Sequence, residues 1–313
     1  MRDDAIGYLL KAASGAPACA DVAAWWAQYR DAVRTWRNPM DRAVAAGFAS
    51  DRAAWAFASG YQAALHALFP GIPEDRICAL CVTEAEGNSP RAIRSTLRRT
   101  VEGWRLDGAK RWATLGPDSA LFLVAARDEA ASGERVALRV ARVPSGAAGV
   151  RIEPMPATRF VPEVPHAQIR FEDVRLADDA LLPGDGYEDY VKRFRTVEDL
   201  HVHAAVLAYL VREARRLAWP GEWIERAAAA LHALRALAAE DPAAPATHVA
   251  LAGALAIGER LVADADAHWA ASAGDPAALR WQRDRALMGV AGDARARRRV
   301  RAWERLRPTS PAA

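Results

Sequence analysis

The feature that most constrains this chain is a change of hydrophobic period, made twice. From about Asp21 to Phe69 apolar residues recur at helical spacing, broken at Asn38-Pro39 and stopped by Pro70-Gly71-Ile72-Pro73. From Ile77 to about Leu182 the spacing shortens to strand-like alternation. From Tyr187 the helical period returns and runs to Leu306, with stops at Pro220-Gly221, Asp241-Pro242 and Gly274-Asp275-Pro276. A segment patterned for a strand buries the wrong face as a helix, and the reverse is also true. The expected fold is therefore α+β: N-terminal helices over 1–76, a middle β-barrel over 77–185 and a C-terminal helical bundle over 186–313. Composition supports the helical parts, since 74 of the 313 residues are alanine, the best helix former.

Within the middle region Ile77 to Val82 reads as a first strand. Trp104-Arg105-Leu106 and Ala109-Lys110-Arg111-Trp112 flank Asp107-Gly108, which reads as a two-residue hairpin turn. Leu121 to Val124, Val136 to Val143, Val150 to Ile152 and Gln168 to Phe171 continue the pattern. Short strands punctuated by Gly and Pro suggest a barrel or sandwich. The tail after Arg307 is expected to fray.

Several classes are set aside. No apolar run approaches the ~18 residues of a bilayer span, and Met1-Arg2-Asp3-Asp4 does not open a secretory signal. Three cysteines (Cys19, Cys78, Cys81) form no disulfide framework and suit a reducing, cytoplasmic setting. Cys78 and Cys81 make a CxxC pair, but no second pair or spaced histidine completes a zinc site. A net charge of +3 leans weakly toward anionic ligands without marking a nucleic-acid binder. No Gly-x-Gly-x-x-Gly opens a helix after a strand. His201 and His203, two apart on a helix, point about 200° apart and do not meet one metal ion. His66, His166, His232, His248 and His268 are scattered. The basic run Arg295 to Arg301 reads as a solvated face near a helix C-terminus. Trp25-Trp26, Trp36 and Trp55 read as core or a subunit interface.

Two segments do more than alternate: Cys81-Val82-Thr83-Glu84-Ala85-Glu86-Gly87-Asn88-Ser89-Pro90, and Gly108-Ala109-Lys110-Arg111-Trp112-Ala113-Thr114. Together with Phe171-Glu172-Asp173-Val174 and Leu182-Pro183-Gly184-Asp185-Gly186-Tyr187, they resemble the acyl-CoA dehydrogenase family. Its middle domain usually reads C-x-T-E-P-x-A-G-S-D, then G-x-K-x-W-I-T, then F-x-x-V, then a Gly-rich approach to a helical bundle. The resemblance implies an FAD site. Leu80, Cys81, Val82, Thr83, Gly87, Asn88 and Ser89 would lie along the flavin, with the Thr83 hydroxyl on the polar edge of the ring. Ser89 would face phosphate oxygens and also touch substrate. Trp112 would wall the ring, Ala113 would follow it, and the Thr114 hydroxyl would reach N5. Taken singly, Trp and Thr are also good strand residues, and a Ser after Gly-Asn is an ordinary turn. Where the family has Pro, Gly, a second Gly and Asp, this chain has Ala85, Glu86, Asn88 and Pro90. Glu86 would repel a diphosphate unless it points to solvent, and Asn88 tolerates a left-handed backbone where glycine is usual, though less freely.

The family's reaction removes an acyl α-proton with a carboxylate while the β-hydrogen leaves as hydride. Most members place that carboxylate nine residues after the Arg of a C-terminal Arg-Asp pair. Here Arg283-Asp284 leads to Gly292 instead. A minority, typified by isovaleryl-CoA dehydrogenase, carries the Glu on the first helix of the bundle, where this chain has Glu198. A Glu near a helix start is also favourable for the dipole alone. Asp199 falls where the family has an Arg facing the CoA tail. The arginine that clamps the FAD pyrophosphate of a neighbouring subunit has no counterpart in Trp219-Pro220-Gly221-Glu222-Trp223-Ile224, and the chain is shorter than a usual member.

The expected activity is thus flavin-dependent α,β-dehydrogenation of an acyl-CoA or other acyl thioester. Glu198 would be the base, an electron-transfer flavoprotein the acceptor, and a homodimer or homotetramer the assembly. No nucleic acid or membrane partner is expected. Two alternatives stay open: a flavin-dependent oxygenase, which needs no such base, and a non-catalytic relative that binds an acyl group or a partner.

Overall fold

The structure is a computed structural model that describes residues 4–131 and 136–307. The tail expected to fray lies outside the described residues. Helices start where the sequence supplies caps. Asp21 precedes α2 (Val22–Val33) and accepts from the Ala24 N–H at 2.8 Å. Asn38 precedes α3 (Pro39–Ala49) and accepts from the Met40 N–H at 2.8 Å, with Pro39 in the first turn. The helical stretch to Phe69 breaks once more, at Ser50–Arg52, before α4 (Ala53–Leu68). A short helix not anticipated from the sequence, α1 (Ala5–Lys11), is capped by Asp4. After the strands, one π-helical turn (Gly186–Val191) leads into α5 (Lys192–Arg216). Then come α6 (Gly221–Leu237), α7 (Pro245–Ala270), α8 (Pro276–Asp284) and α9 (Gly292–Leu306).

The chain divides into two compact units. The helical unit takes residues up to Ala64, Arg159–Val161 and residues from Thr196 onward. Its axis is α5, buried from Leu200 to Ala214. Alanine and glycine let neighbouring helices reach its backbone: a Cβ on Gly47 would stand 2.2 Å from the Ala205 carbonyl oxygen. Trp25 and Trp55 are core residues here, their rings stacked at 5.6 Å. The expectation that no stretch is apolar enough for a bilayer does not hold for α7. It carries no charge before Glu259, and by length and composition alone it could cross a membrane. In this unit Leu251, Leu255, Leu261 and Trp269 of α7 are buried.

The second unit (Leu65–Thr158 and Pro162–Arg195) holds one curled seven-stranded sheet. Its strands are β1 (Cys78–Cys81), β2 (Thr96–Thr100), β3 (Gly103–Thr114), β4 (Leu121–Asp128), β5 (Leu138–Pro144), β6 (Val150–Pro154) and β7 (His166–Leu176). The order is β1-β4-β2-β3-β7-β6, with β5 also on β4. The β1–β4 and β2–β4 pairs are parallel and the others antiparallel. Leu97, Leu106, Phe122, Val124, Ile169 and Phe171 pack into its core.

The expected hairpin turn at Asp107-Gly108 is absent. β3 runs straight through it, and the hairpin closes one turn earlier, at Val101-Glu102 between Thr100 and Gly103. Asp107 instead faces a bulge in β7, where Glu172 and Asp173 stand opposite it and the register slips between Leu106 and Gly108. Gly108 has φ +136, and a Cβ there would stand 2.3 Å from the Ser95 hydroxyl oxygen. Glycine suits both a primed turn and this close approach at positive φ, which is why the same dipeptide fits either. The strand expected from Val136 starts at Leu138. β2 was not anticipated at all.

Candidate functional site

The two motif segments meet in the sheet unit. β1 ends at Cys81, and Glu84 and Gly87 exchange backbone hydrogen bonds (2.9 and 3.1 Å) to close a tight turn. The Arg111 N–H donates to the Thr83 carbonyl at 2.7 Å, which joins this loop to β3. Cys81 and Ala113 point into the core, so only their backbones are left for a ligand. Burial pushes the Cys81 thiol up to about 12, against the pull of Lys110. Leu80, Val82, Thr83 and Thr114 are half-buried, and Asn88 and Ser89 are exposed. Asn88 does not take a left-handed backbone; the positive φ lies at Gly87. The Arg195 guanidinium reaches both the Asn88 carbonyl and its side-chain oxygen at 3.4 Å.

Trp112 stands out. A second slip in β3, between Lys110 and Ala113, leaves it at φ +59, a conformation that costs a non-glycine residue about 1–2 kcal/mol. Its N–H donates to the Met155 sulfur at 3.3 Å and its indole meets His166 edge-on at 5.9 Å. Trp112 remains 47% exposed. A strained backbone that presents a large flat apolar ring to the outside serves a ligand better than it serves the core. Glu86 does point to solvent, where Arg94 neutralises it at 2.9 Å. This surface thus presents the exposed Trp112 ring and the half-buried Thr83 and Thr114, and the Glu86 carboxylate beside it is paired with Arg94.

Sequence reasoning missed what lies beneath this surface. Glu84 and Lys110 form a buried ion pair at 2.6 Å. Burial works to raise the Glu84 pKa, but Lys110 and the Ser95 and Arg94 backbone N–H groups outweigh it and hold the carboxyl below its ordinary value. Both residues sit inside the quoted motifs; nothing but strand register could have paired them. A groove of about 380 Å³ opens beside them, lined by Glu84, Ser95, Gly108 and Arg111.

In the helical unit Glu198 is half-buried on α5, between buried Val197 and Asp199. Asp199 is committed elsewhere: it accepts from Arg295 at 2.9 Å and from Arg298 at 2.5 Å. The expected solvated face of α9 is thus corrected at these two arginines, which turn inward at i and i+3 to neutralise a buried carboxylate. The Nδ1–H of His201 and of His203 each donates to the carbonyl four residues back, at 2.7 Å. Among the described residues no group of three or more His, Cys, Asp or Glu could hold a metal. Gly292 is exposed at the start of α9. Trp219 and Trp223, where the family keeps its pyrophosphate arginine, pack edge-on at 5.1 Å in a cluster with Trp269 and Trp281. An apolar cavity bounded by His203, Leu207, Leu234 and Leu255 measures about 10 Å³, space for about one water and none for an acyl chain.

The family profile described as "Acyl-CoA dehydrogenase, middle domain" matches residues 79–174. No curated protein sequence is significantly similar to this chain. Butyryl-CoA dehydrogenase from Megasphaera elsdenii superposes with a TM-score of 0.70 at 12% identity, over 91% of this chain and 90% of that one. FMN-bound TdsC from Paenibacillus sp. A11-2 gives 0.71 at 16% identity, over 93% and 92%. Glutaryl-CoA dehydrogenase from Mycobacterium smegmatis gives 0.64 at 14% identity, over 98% and 94%. At these identities the likeness establishes the fold, and the middle-domain match adds the motifs. The chain thus carries an acyl-CoA dehydrogenase middle domain over residues 79–174, within a chain that has the acyl-CoA dehydrogenase fold.

Proposed function

We propose that the chain is a flavin-dependent oxidoreductase that binds FAD on its sheet unit and dehydrogenates an acyl thioester at Cα–Cβ. The observation that carries this reading is Trp112, an exposed indole on a left-handed backbone beside the Thr83 loop. Trp112 walls one face of the ring, and the Thr83 and Thr114 hydroxyls face its polar atoms. The backbones of Leu80 to Thr83 and of Ala113 lie along it. Gly87, Asn88 and Ser89 take the phosphate end, and Ser89 also reaches the thioester carrier. When bound, the flavin supplies the two-electron acceptor for hydride. Glu198 takes the α-proton, without which the β-hydrogen has no route to leave as hydride. An electron-transferring flavoprotein as acceptor, a homodimer or homotetramer and a cytoplasmic setting belong to the same proposal. FMN-bound TdsC, with the same fold, supports a flavin here.

Titration of the protein with FAD tests the reading first: a colourless protein that takes up none ends it. With flavin bound, Glu198→Gln should abolish bleaching by a panel of acyl-CoAs, and retained bleaching removes Glu198 from the role of base. A non-catalytic binding protein is the competing reading, favoured by Gly292 at the usual base position and the Trp219–Trp223 packing at the clamp. It expects no flavin uptake.

A further inference from the structure

We infer that the buried Glu84–Lys110 pair is a positioning device, which holds the Val82–Ser89 loop against the strand that presents Trp112. The inference rests on the flavin reading for its purpose and on the sheet unit's own geometry for its substance. Stability alone does not account for the pair, because two charges taken out of water often do no better than apolar residues of similar volume. What an apolar pair would not reproduce is the wiring. The Glu84 carboxylate accepts from the Arg94 N–H (2.7 Å), the Ser95 N–H (3.0 Å), the Ser95 hydroxyl (2.8 Å) and the Lys110 ammonium (2.6 Å). Lys110 also reaches the Val82 carbonyl at 3.4 Å, and the next residue, Arg111, binds the Thr83 carbonyl. One carboxylate thus ties three stretches of chain together: the loop after β1, the approach to β2 and the middle of β3.

Both register slips between β3 and β7 serve this junction. Beside the first slip, Gly108 leaves clear the space where the Ser95 hydroxyl stands, which a Cβ would occupy. The slip after Lys110 sends its ammonium inward, fully buried, and turns Trp112 outward two residues later. Lys110 is therefore the fixed end of the bulge whose free end is the indole. Loss of the pair should leave the sheet standing and let the loop and Trp112 drift.

Three variants test this: Lys110→Met, Glu84→Gln/Lys110→Met, which strands no buried charge, and Ser95→Ala, which keeps the ion pair. The first readout needs no flavin. Amide hydrogen exchange in peptides spanning 82–89 and 109–114 should quicken about tenfold or more in the first two variants and less in Ser95→Ala, with the helical unit unchanged. The second readout is FAD affinity, expected to fall about tenfold in the double variant, together with quenching of flavin emission by the indole. Exchange as slow as in the wild type in folded Lys110→Met or in the folded double variant overturns the proposal, as does unchanged FAD affinity with unchanged quenching in the double variant. If the wild type takes up no FAD, the flavin reading fails by itself, and the exchange data still decide the role of the pair.

Discussion

Acid should unfold the helical unit through the two histidines of α5. His201 and His203 are buried, and burial pushes each from 6.5 down to about 4; near His203, Arg295 adds to the effect while Asp199 opposes it. The unfolded chain takes up these protons near pH 6.5, and the folded chain refuses them until about pH 4. Stability is therefore complete above about pH 6.5 and falls as the pH drops through that window, by about 1.4 kcal/mol per pH unit for each ring. Each histidine withdraws about 3 kcal/mol by pH 4. Two of them rival the net stability of ~5–15 kcal/mol that a folded protein has to lose. The urea midpoint, followed by far-ultraviolet circular dichroism at half-unit steps from pH 7 to pH 4, should fall steeply below about pH 6. His201→Phe keeps a ring of similar size and gives up one bond to the Val197 carbonyl, an oxygen that intrahelical bonding can also use. It should halve the acid slope while leaving neutral stability within about 2 kcal/mol. A midpoint flat from pH 7 to pH 5, or a His201→Phe slope equal to that of the wild type, refutes the argument.

Asp199→Asn should lower stability by about 2–4 kcal/mol, because two inward guanidinium groups lose their counter-charge. Arg297→Ala, on the exposed face of the same helix, should change it by no more than about 0.5 kcal/mol. Equal effects from the two would show that α9 does not pack as described. Gly108→Val should cost about 3 kcal/mol or more, read as a fall in melting temperature, since it combines a forbidden φ with a collision at Ser95. Trp112→Gly should leave stability unchanged or raise it by about 1 kcal/mol, because glycine suits φ +59 and the indole is half exposed. The same variant should lose FAD binding. A melting temperature that falls steeply would instead make Trp112 a structural residue.

What the sequence discloses depends on how far apart the cooperating residues lie. Helices and caps are local, so Asp21, Asn38-Pro39 and the stops at Pro220, Pro242 and Pro276 are legible one segment at a time. β2 is hidden because Thr96-Leu97-Arg98-Arg99-Thr100 buries only Leu97 and so shows no alternation. Asp107-Gly108 is ambiguous in principle, because the choice between a turn and a continuous strand belongs to the partner strand: Asp107 accepts from the N–H of Asp173, in the bulge of β7, at 2.8 Å. The arginines of α9 divide into inward and outward sets only once Asp199 is known to lie beneath them. The same holds for the candidate site. Thr83, Trp112 and Thr114 are visible as motif letters, whereas Glu84 and Lys110, in the same motifs, acquire a role only when register brings residues 26 apart in the chain to within 2.6 Å. Motif reading finds the residues that face a ligand, because ligand chemistry restricts their type directly. The residues that hold those in place are restricted by one another, and a pair of that kind becomes visible only in the fold.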